Sequence, residues 1–340
     1  SPSRGLGDVY KRQGYEEEKY SELPYAQEFS QAVGVPNISN KVSADEFFDA
    51  VPEIQYMLDE PLPNPSEIPL YFLAQNARKY VKVVLSGEGA DELFGGYPMY
   101  LQGGHFAQYS RKVPRPVRKL AGAVAKRLPA FKGKHFIIRG AMEPYQRFMR
   151  ANYVFTDPAE RQKYLKRPIT SKAPEEYSKR YFDEVPNLDE PTQLQYVDMH
   201  TWMIYDILLK ADRMSMANSL ELRVPYLDRE VLREAQTYPD SYKLRGDTKA
   251  VLRTAANKTL PDAWANRTKK GFPVPIAKWL EDPAFSAKVR KSFTSDVAAE
   301  YFDQDKLVAM LADPKHERRK IWTAYTFLTW HEQFFEKFDA

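Results

Sequence analysis

The sequence predicts an α/β fold in which a short parallel-sheet part leads into a larger, mainly helical part. Two observations carry this. The run Val81-Lys82-Val83-Val84-Leu85 is β-branched and almost wholly apolar, and it breaks at once into Ser86-Gly87-Glu88-Gly89. That is the pattern of a buried parallel strand ending in a glycine turn before a helix. After Tyr100 no further strand is legible, and apolar residues recur at helical spacing between proline-bearing loops.

Composition bounds the possibilities. The 340 residues, 43% apolar and 14% aromatic, suffice for a substantial core and are too apolar for a disordered chain. No run approaches the ~18 apolar residues of a membrane span, and none reads as a signal peptide. With no cysteine, disulfides, thiolate metal sites and a cysteine nucleophile are excluded, and a cytoplasmic location is expected. A net charge of +4 is too small to argue globally for nucleic acid.

The elements follow in order. Ser1–Gln13 carries little apolar content and no period, and reads as a disordered or artefactual start. Tyr25, Ala26, Phe29, Ala32 and Val33 fall at helical spacing after Ser21 and Pro24, and residues 35–42 suit a short strand. Ser43 with Glu46 forms a capping box for a helix over 44–51, and another helix covers 68–80. The strand 81–85 comes next. Residues 111–139 hold ten Lys/Arg and no acid, with Val117, Leu120, Ala121, Val124 and Leu128 at helical spacing; a surface helix with a solvated basic face is expected. Further helices are predicted over 144–153, 158–164, 191–217, 229–236, 248–259 and 321–338, with Trp322, Tyr325, Leu328 and Trp330 in the core.

Three segments could carry chemistry. In Ser86-Gly87-Glu88-Gly89-Ala90-Asp91-Glu92, glycines at a strand's carboxyl end permit close backbone approach and favour an anion. Three carboxylates in five residues would repel a bare phosphate, so a bridging Mg²⁺ resolves the conflict; an acidic capping turn is the alternative. Glu92 stands where a dinucleotide fingerprint needs glycine. Residues 205–228 mix dense opposite charges with Ile207, Leu208, Leu209, Met214 and Met216, so those charges are either salt-bridged or ligand-bound. Thr248-Lys249 and Asn266-Arg267-Thr268-Lys269-Lys270-Gly271-Phe272-Pro273 place cations before a rigid loop, where they clamp phosphates or are solvated.

Together and in this order, these segments resemble the synthetase domain of bacterial glutamine-dependent asparagine synthetases. The matching residues are Ser86 to Glu92 with Phe94-Gly95-Gly96-Tyr97, Asp212-Arg213 through Arg223-Val224-Pro225-Tyr226-Leu227-Asp228, Lys249, Arg267 to Pro273, Asp59-Glu60-Pro61 and Pro69. The resemblance implies an adenine nucleotide alpha-hydrolase-like (ATP pyrophosphatase) parallel sheet. It implies activation of the aspartate β-carboxylate by ATP and Mg²⁺ as β-aspartyl-AMP, then attack by ammonia. By the same resemblance Ser86 and Gly87 would hold the adenylate, Asp91 would ligate Mg²⁺, and Glu88 would govern the intermediate and accept a proton from the attacking amine. Lys269, with Lys249, would stabilise pyrophosphate and the developing oxyanion.

The resemblance spans about Tyr15 to Phe335, in one synthetase domain over 14–340, divided into an α/β part (14–105) and a mainly helical part (106–340). The family's first phosphate motif, Ser-Gly-Gly-x-Asp-Ser, and its amino-terminal glutaminase domain are missing. The sheet is therefore expected to be incomplete at its N-terminal strand, and the chain alone inactive or impaired. The implied partners are aspartate, ammonia or glutamine, and that glutaminase domain, with a homodimer as a further assembly; no nucleic acid or membrane partner is expected. The other readings are an adenylate-forming amidotransferase or cyclase acting on another carboxylic acid, and a non-catalytic anion-binding fragment.

Overall fold

The computed structural model describes residues 10–15, 23–148, 154–155, 158–168, 170, 172–267 and 274–336. The predicted positions Ser1–Val9, Ser21, 149–153, Thr268–Pro273 and Phe338, including Lys269, lie outside the described residues.

Strand β1 (Tyr10–Tyr15) pairs in parallel with β2 (Asn37–Val42) through α1 (Leu23–Val33). Tyr10–Gln13, expected to lack structure, are thus strand: a ladder satisfies backbone groups that composition alone left unassigned. The Ser43 capping box forms as expected, Glu46 N–H donating to Ser43 Oγ and Ser43 N–H to Glu46 Oε2, and it starts α2 (Ala44–Met57). The helix runs through Pro52, where the sequence reading ended it. A proline within a helix loses one hydrogen bond; here Phe47, Phe48, Val51, Ile54 and Gln55 are buried along α2 and hold its line.

After α3 (Glu67–Arg78), β3 (Val83–Leu85) pairs in parallel with β4 (Glu221–Arg223), a strand between the helices predicted over 191–217 and 229–236, where none was expected. The expectation that the 81–85 strand is buried fails. Val84 packs with Val81 on Ala74 and Ala77 of α3, while Val83 and Leu85 are 40% and 73% exposed. Among the described residues β3 has one ladder neighbour and one covered face, so its period-two alternation exposes the other side.

α4 (Ala90–Phe94), α5 (Pro98–Lys112), α6 (Arg115–Arg127) and α7 (Lys134–Gly140) follow, and the rest is mainly helical. The helix predicted over 191–217 is interrupted: it stops at His200, passes through a π-helical turn (Met203–Leu208) and resumes as Leu209–Met216. The largest core joins both ends of the chain, with Phe47 and Phe48 packed among Trp279, Phe285, Trp322 and Tyr325. Trp322, Tyr325 and Leu328 are buried as expected, whereas Trp330 is half-buried and donates to Asp59 O.

Candidate active site

The site is built at the carboxyl end of β3. Ser86 N–H extends the ladder by donating to Arg223 O at 2.8 Å, so that donor is spent inside the sheet. Gly87 is exposed, with open space where a Cβ would stand. Gly89, at φ 91°, turns the chain into α4 against Leu227, whose Cδ2 a Cβ would meet at 2.3 Å. A side chain at 89 would therefore be strained by the backbone conformation and would have to displace Leu227.

The three carboxylates that follow part company. Glu92 turns inward: it is buried, accepts from Tyr97 Oη at 2.6 Å, and burial raises its carboxyl to about 7. Trp202 Nε1 in turn donates to Tyr97 Oη. Asp91 keeps its Oδ1 2.8 Å from Lys249 Nζ. It also packs so tightly on Gly96 that a Cβ there would meet Asp91 Oδ1 at 1.8 Å. Glu88 is held above the ordinary carboxylate range by burial, opposed by the positive charges of Lys210 and Lys249.

Lys249 owes its position to an unusual backbone: at φ 55° it is left-handed, a conformation that costs a non-glycine residue energy and marks a constrained loop. Lys249 N–H donates to Gly95 O, and Arg253 donates to Thr248 O, Ala265 O and Arg267 O. One guanidinium thereby ties the Lys249 loop to Ala265 and Arg267, and the Arg267 guanidinium lies 4.2 Å from the Tyr25 ring centroid.

Near Glu88 lies a buried charge group from the 205–228 stretch, whose charges were expected to be salt-bridged or ligand-bound; Glu67 was not singled out. The Lys210 ammonium sits 2.9 Å from Asp206 Oδ1, both nearly inaccessible, and Asn64 Nδ2 donates to the same oxygen at 2.7 Å. The fully buried Glu67 accepts from Gln55 Nε2, and burial, then the Asp206 charge, raise its carboxyl well above the ordinary value. Spacing alone left Asp206 and Lys210 open between a salt bridge and a ligand site; their i,i+4 acid–base spacing was the available signal, and the structure pairs them. Arg213, in the resemblance motif, pairs with Asp59 at 2.5 Å on the surface.

The structure thus brings Gly87, Glu88, Asp91 and Lys249 together and sets Lys210 within charge range of Glu88. No group of three metal-binding side chains occurs among the described residues. Asp91 alone still suits Mg²⁺ delivered on a nucleotide, because that ion keeps phosphate oxygens and water and needs only one or two protein carboxylates.

A protein family described as asparagine synthase matches residues 12–332. Asparagine synthetase [glutamine-hydrolyzing] 1 of Bacillus subtilis is 40% identical over 330 residues, which is 95% of this chain and 52% of that protein. A Mycobacterium tuberculosis H37Rv protein provisionally named a glutamine-hydrolyzing asparagine synthetase is 38% identical over 337 residues, covering 95% of this chain and 50% of its own. The B. subtilis asparagine synthetase [glutamine-hydrolyzing] 3 is 26% identical over 258 residues, 74% of this chain and 36% of that protein. The chain spans about half the length of the first two relatives.

Proposed function

The chain belongs to the asparagine synthase family, and from that premise we propose that it carries the ATP-dependent, amide-forming half of an asparagine synthetase. The observation that most supports this reading is the convergence of Glu88 and the Asp91–Lys249 pair on a glycine turn at the end of a parallel strand. That place in an α/β sheet is where nucleotides and acyl groups are held.

In the proposed reaction the aspartate β-carboxylate attacks the α-phosphate of ATP, the bond to pyrophosphate breaks, and β-aspartyl-AMP forms. Ammonia then adds to the acyl carbon, AMP leaves, and one proton is lost from nitrogen. The open Gly87 turn receives the adenylate, with Ser86 contributing groups other than its N–H. Lys249 stabilises negative charge on the departing pyrophosphate, in the manner of preorganised cations at transferring phosphates. Lys269 is proposed to act with it. Asp91 would hold Mg²⁺, which when bound neutralises phosphate charge. Glu88, ionised, accepts the proton from the attacking amine; burial raises its carboxyl above the ordinary value, which makes it a stronger base for that transfer. Lys210, buried and paired with Asp206, acts through its charge on Glu88.

In the parent protein ammonia would come from glutamine, through the additional length present in the relatives. The test is product analysis with ATP, Mg²⁺, ammonium and aspartate, beside other carboxylic acids. Asparagine with equimolar AMP and pyrophosphate is the expected product. AMP release driven only by a different acid would retain the adenylating chemistry and reject aspartate.

A further inference from the structure

Two separate segments carry charges of the site. α4, five residues long, bears Asp91, and the helix that resumes after the π turn bears Lys210. One hydroxyl reaches both. Tyr97 Oη donates to Glu92 Oε1 at 2.6 Å and accepts from Trp202 Nε1 at 3.3 Å, Trp202 being the residue from which the π turn starts. A phenol has one proton to give and lone pairs to receive, and this one is used in both senses.

Helical geometry passes these two bonds on to the site. Asp91 and Glu92 are consecutive on α4, about 100° apart around its axis. A buried Glu92 fixed on Tyr97 therefore sets the direction in which Asp91 leaves toward Lys249, and any rotation that freed one would turn the other away. Trp202, Asp206 and Lys210 recur every four residues, along one side of the helical path. The Lys210 ammonium lies 2.9 Å from Asp206 Oδ1 and 6.0 Å from the centre of the Trp202 ring, at the outer limit of a cation–π contact. Anchoring the indole thus anchors the segment that brings Lys210 within charge range of Glu88. The phenol itself has a firm support: its ring meets Tyr100 edge-on at 5.6 Å, and Tyr100 Oη donates to the fully buried Asp198 at 2.5 Å.

We infer that Tyr97 is a positioning residue for the proposed reaction: its hydroxyl, held between Glu92 and Trp202, keeps Asp91 and Lys210 in one register about Glu88. The inference rests on the reading of this site as the adenylating centre. The phenol acts through Asp91 and Lys210, and no contact with substrate is assigned to it.

The linkage is tested without turnover by the indole N–H signals in the NMR spectrum of the isotope-labelled full chain, which has five tryptophans. Trp202→Phe identifies one signal by its loss. Tyr97→Phe and Lys210→Met should each shift that signal, the first by removing its acceptor and the second by removing the cation near its ring, and leave the other four in place. A Trp202 signal unmoved by either substitution would overturn the inference. Its consequence is read in ammonia-dependent asparagine synthesis by the parent protein. Tyr97→Phe and Trp202→Phe should each lower kcat about 10-fold, with KM for ATP and aspartate within about 2-fold of the unsubstituted values. The double variant should be no worse than the worse single one, because both substitutions break one linkage. Additive losses, or losses carried by KM, would overturn the positioning role. Absence of asparagine from the unsubstituted parent protein would instead reject the reaction, and the indole shifts would still decide the linkage.

Discussion

Lys249 Nζ lies 2.8 Å from Asp91 Oδ1, joining the helix after the glycine turn to a loop more than 150 residues later. The pair holds a cation and a carboxylate side by side, each about one-quarter exposed, so both stay reachable by a ligand. Triphosphate would draw on Lys249 directly and on Asp91 through Mg²⁺. Lys249→Met should therefore lower kcat about 10²-fold, the scale seen when one preorganised charge-stabilising group is removed. Asp91→Asn should chiefly raise the Mg²⁺ concentration needed for half-maximal rate. Equal Mg²⁺ dependence in parent and Asp91→Asn would separate Asp91 from the metal.

Gly96 is the wall that fixes this carboxylate. Any side chain there must displace Asp91, since a Cβ would fall within 1.8 Å of Oδ1 and 2.7 Å of the Asp91 Cα. Gly96→Ala should cost about 1–3 kcal/mol, the usual scale of overpacking, and should reduce activity by more than this unfolding accounts for at the assay temperature. Thermal unfolding and kcat measured on the same preparation decide it; an unchanged melting temperature would mean the loop yields freely.

Glu88 gives a pH signature. Burial raises its carboxyl, and Lys210 is the largest force lowering it again. As the base for the attacking amine Glu88 must be ionised, so activity should rise with pH along an acid limb above the ordinary carboxylate value. Lys210→Met removes the lowering charge and should move that limb to higher pH, while Glu88→Gln should abolish it along with most of the turnover. A pH–rate profile for ammonia-dependent synthesis makes the comparison. A limb that stays in place in Lys210→Met would show that the two groups are uncoupled.

Glu67 gives a stability signature of definite sign. Its folded carboxyl sits well above the ordinary value, so the folded state holds a proton that the unfolded chain has released. The stabilising contribution is complete below the unfolded value near 4.5 and is lost as pH rises through the folded value. Glu67→Gln keeps the size and an acceptor for Gln55 without the charge. It should be more stable than the parent at neutral and mildly alkaline pH, the advantage shrinking toward pH 4. Urea midpoints across that range would show it, and an advantage growing toward low pH would reverse the assignment.

Much of this was legible in the sequence wherever local chemistry decides structure. Ser43 and Glu46 announced their helix, and Gly87 and Gly89 announced the turn. Pro52 misled because burial of Ile54 and Gln55 outweighs one lost hydrogen bond. β4 was hidden because Glu221–Arg223 is three residues long, charged at both ends, and strand only by virtue of its distant partner. The α6 period and its solvated basic side were legible, with Lys119, Lys126 and Arg127 exposed; that Arg118, Gly122 and Ala125 form the covered side was not, because periodicity says which residues share a face and only the partner helix says which face is covered. Within the candidate site, the resemblance pointed to Glu88, Asp91 and Lys249, but the pairing of Asp91 with Lys249 needed a left-handed Lys249 that no pattern encodes.

The central claim is that the Glu88–Asp91–Lys249 site adenylates aspartate. ATP–pyrophosphate exchange dependent on aspartate and Mg²⁺, without glutamine, tests it most directly, using this chain and a form extended upstream to the length of its relatives. The account predicts aspartate-dependent exchange in the extended form, severely reduced by Lys249→Met, and weak or no exchange in the shorter one. Exchange that ignores aspartate, or that survives Lys249→Met undiminished, would contradict it.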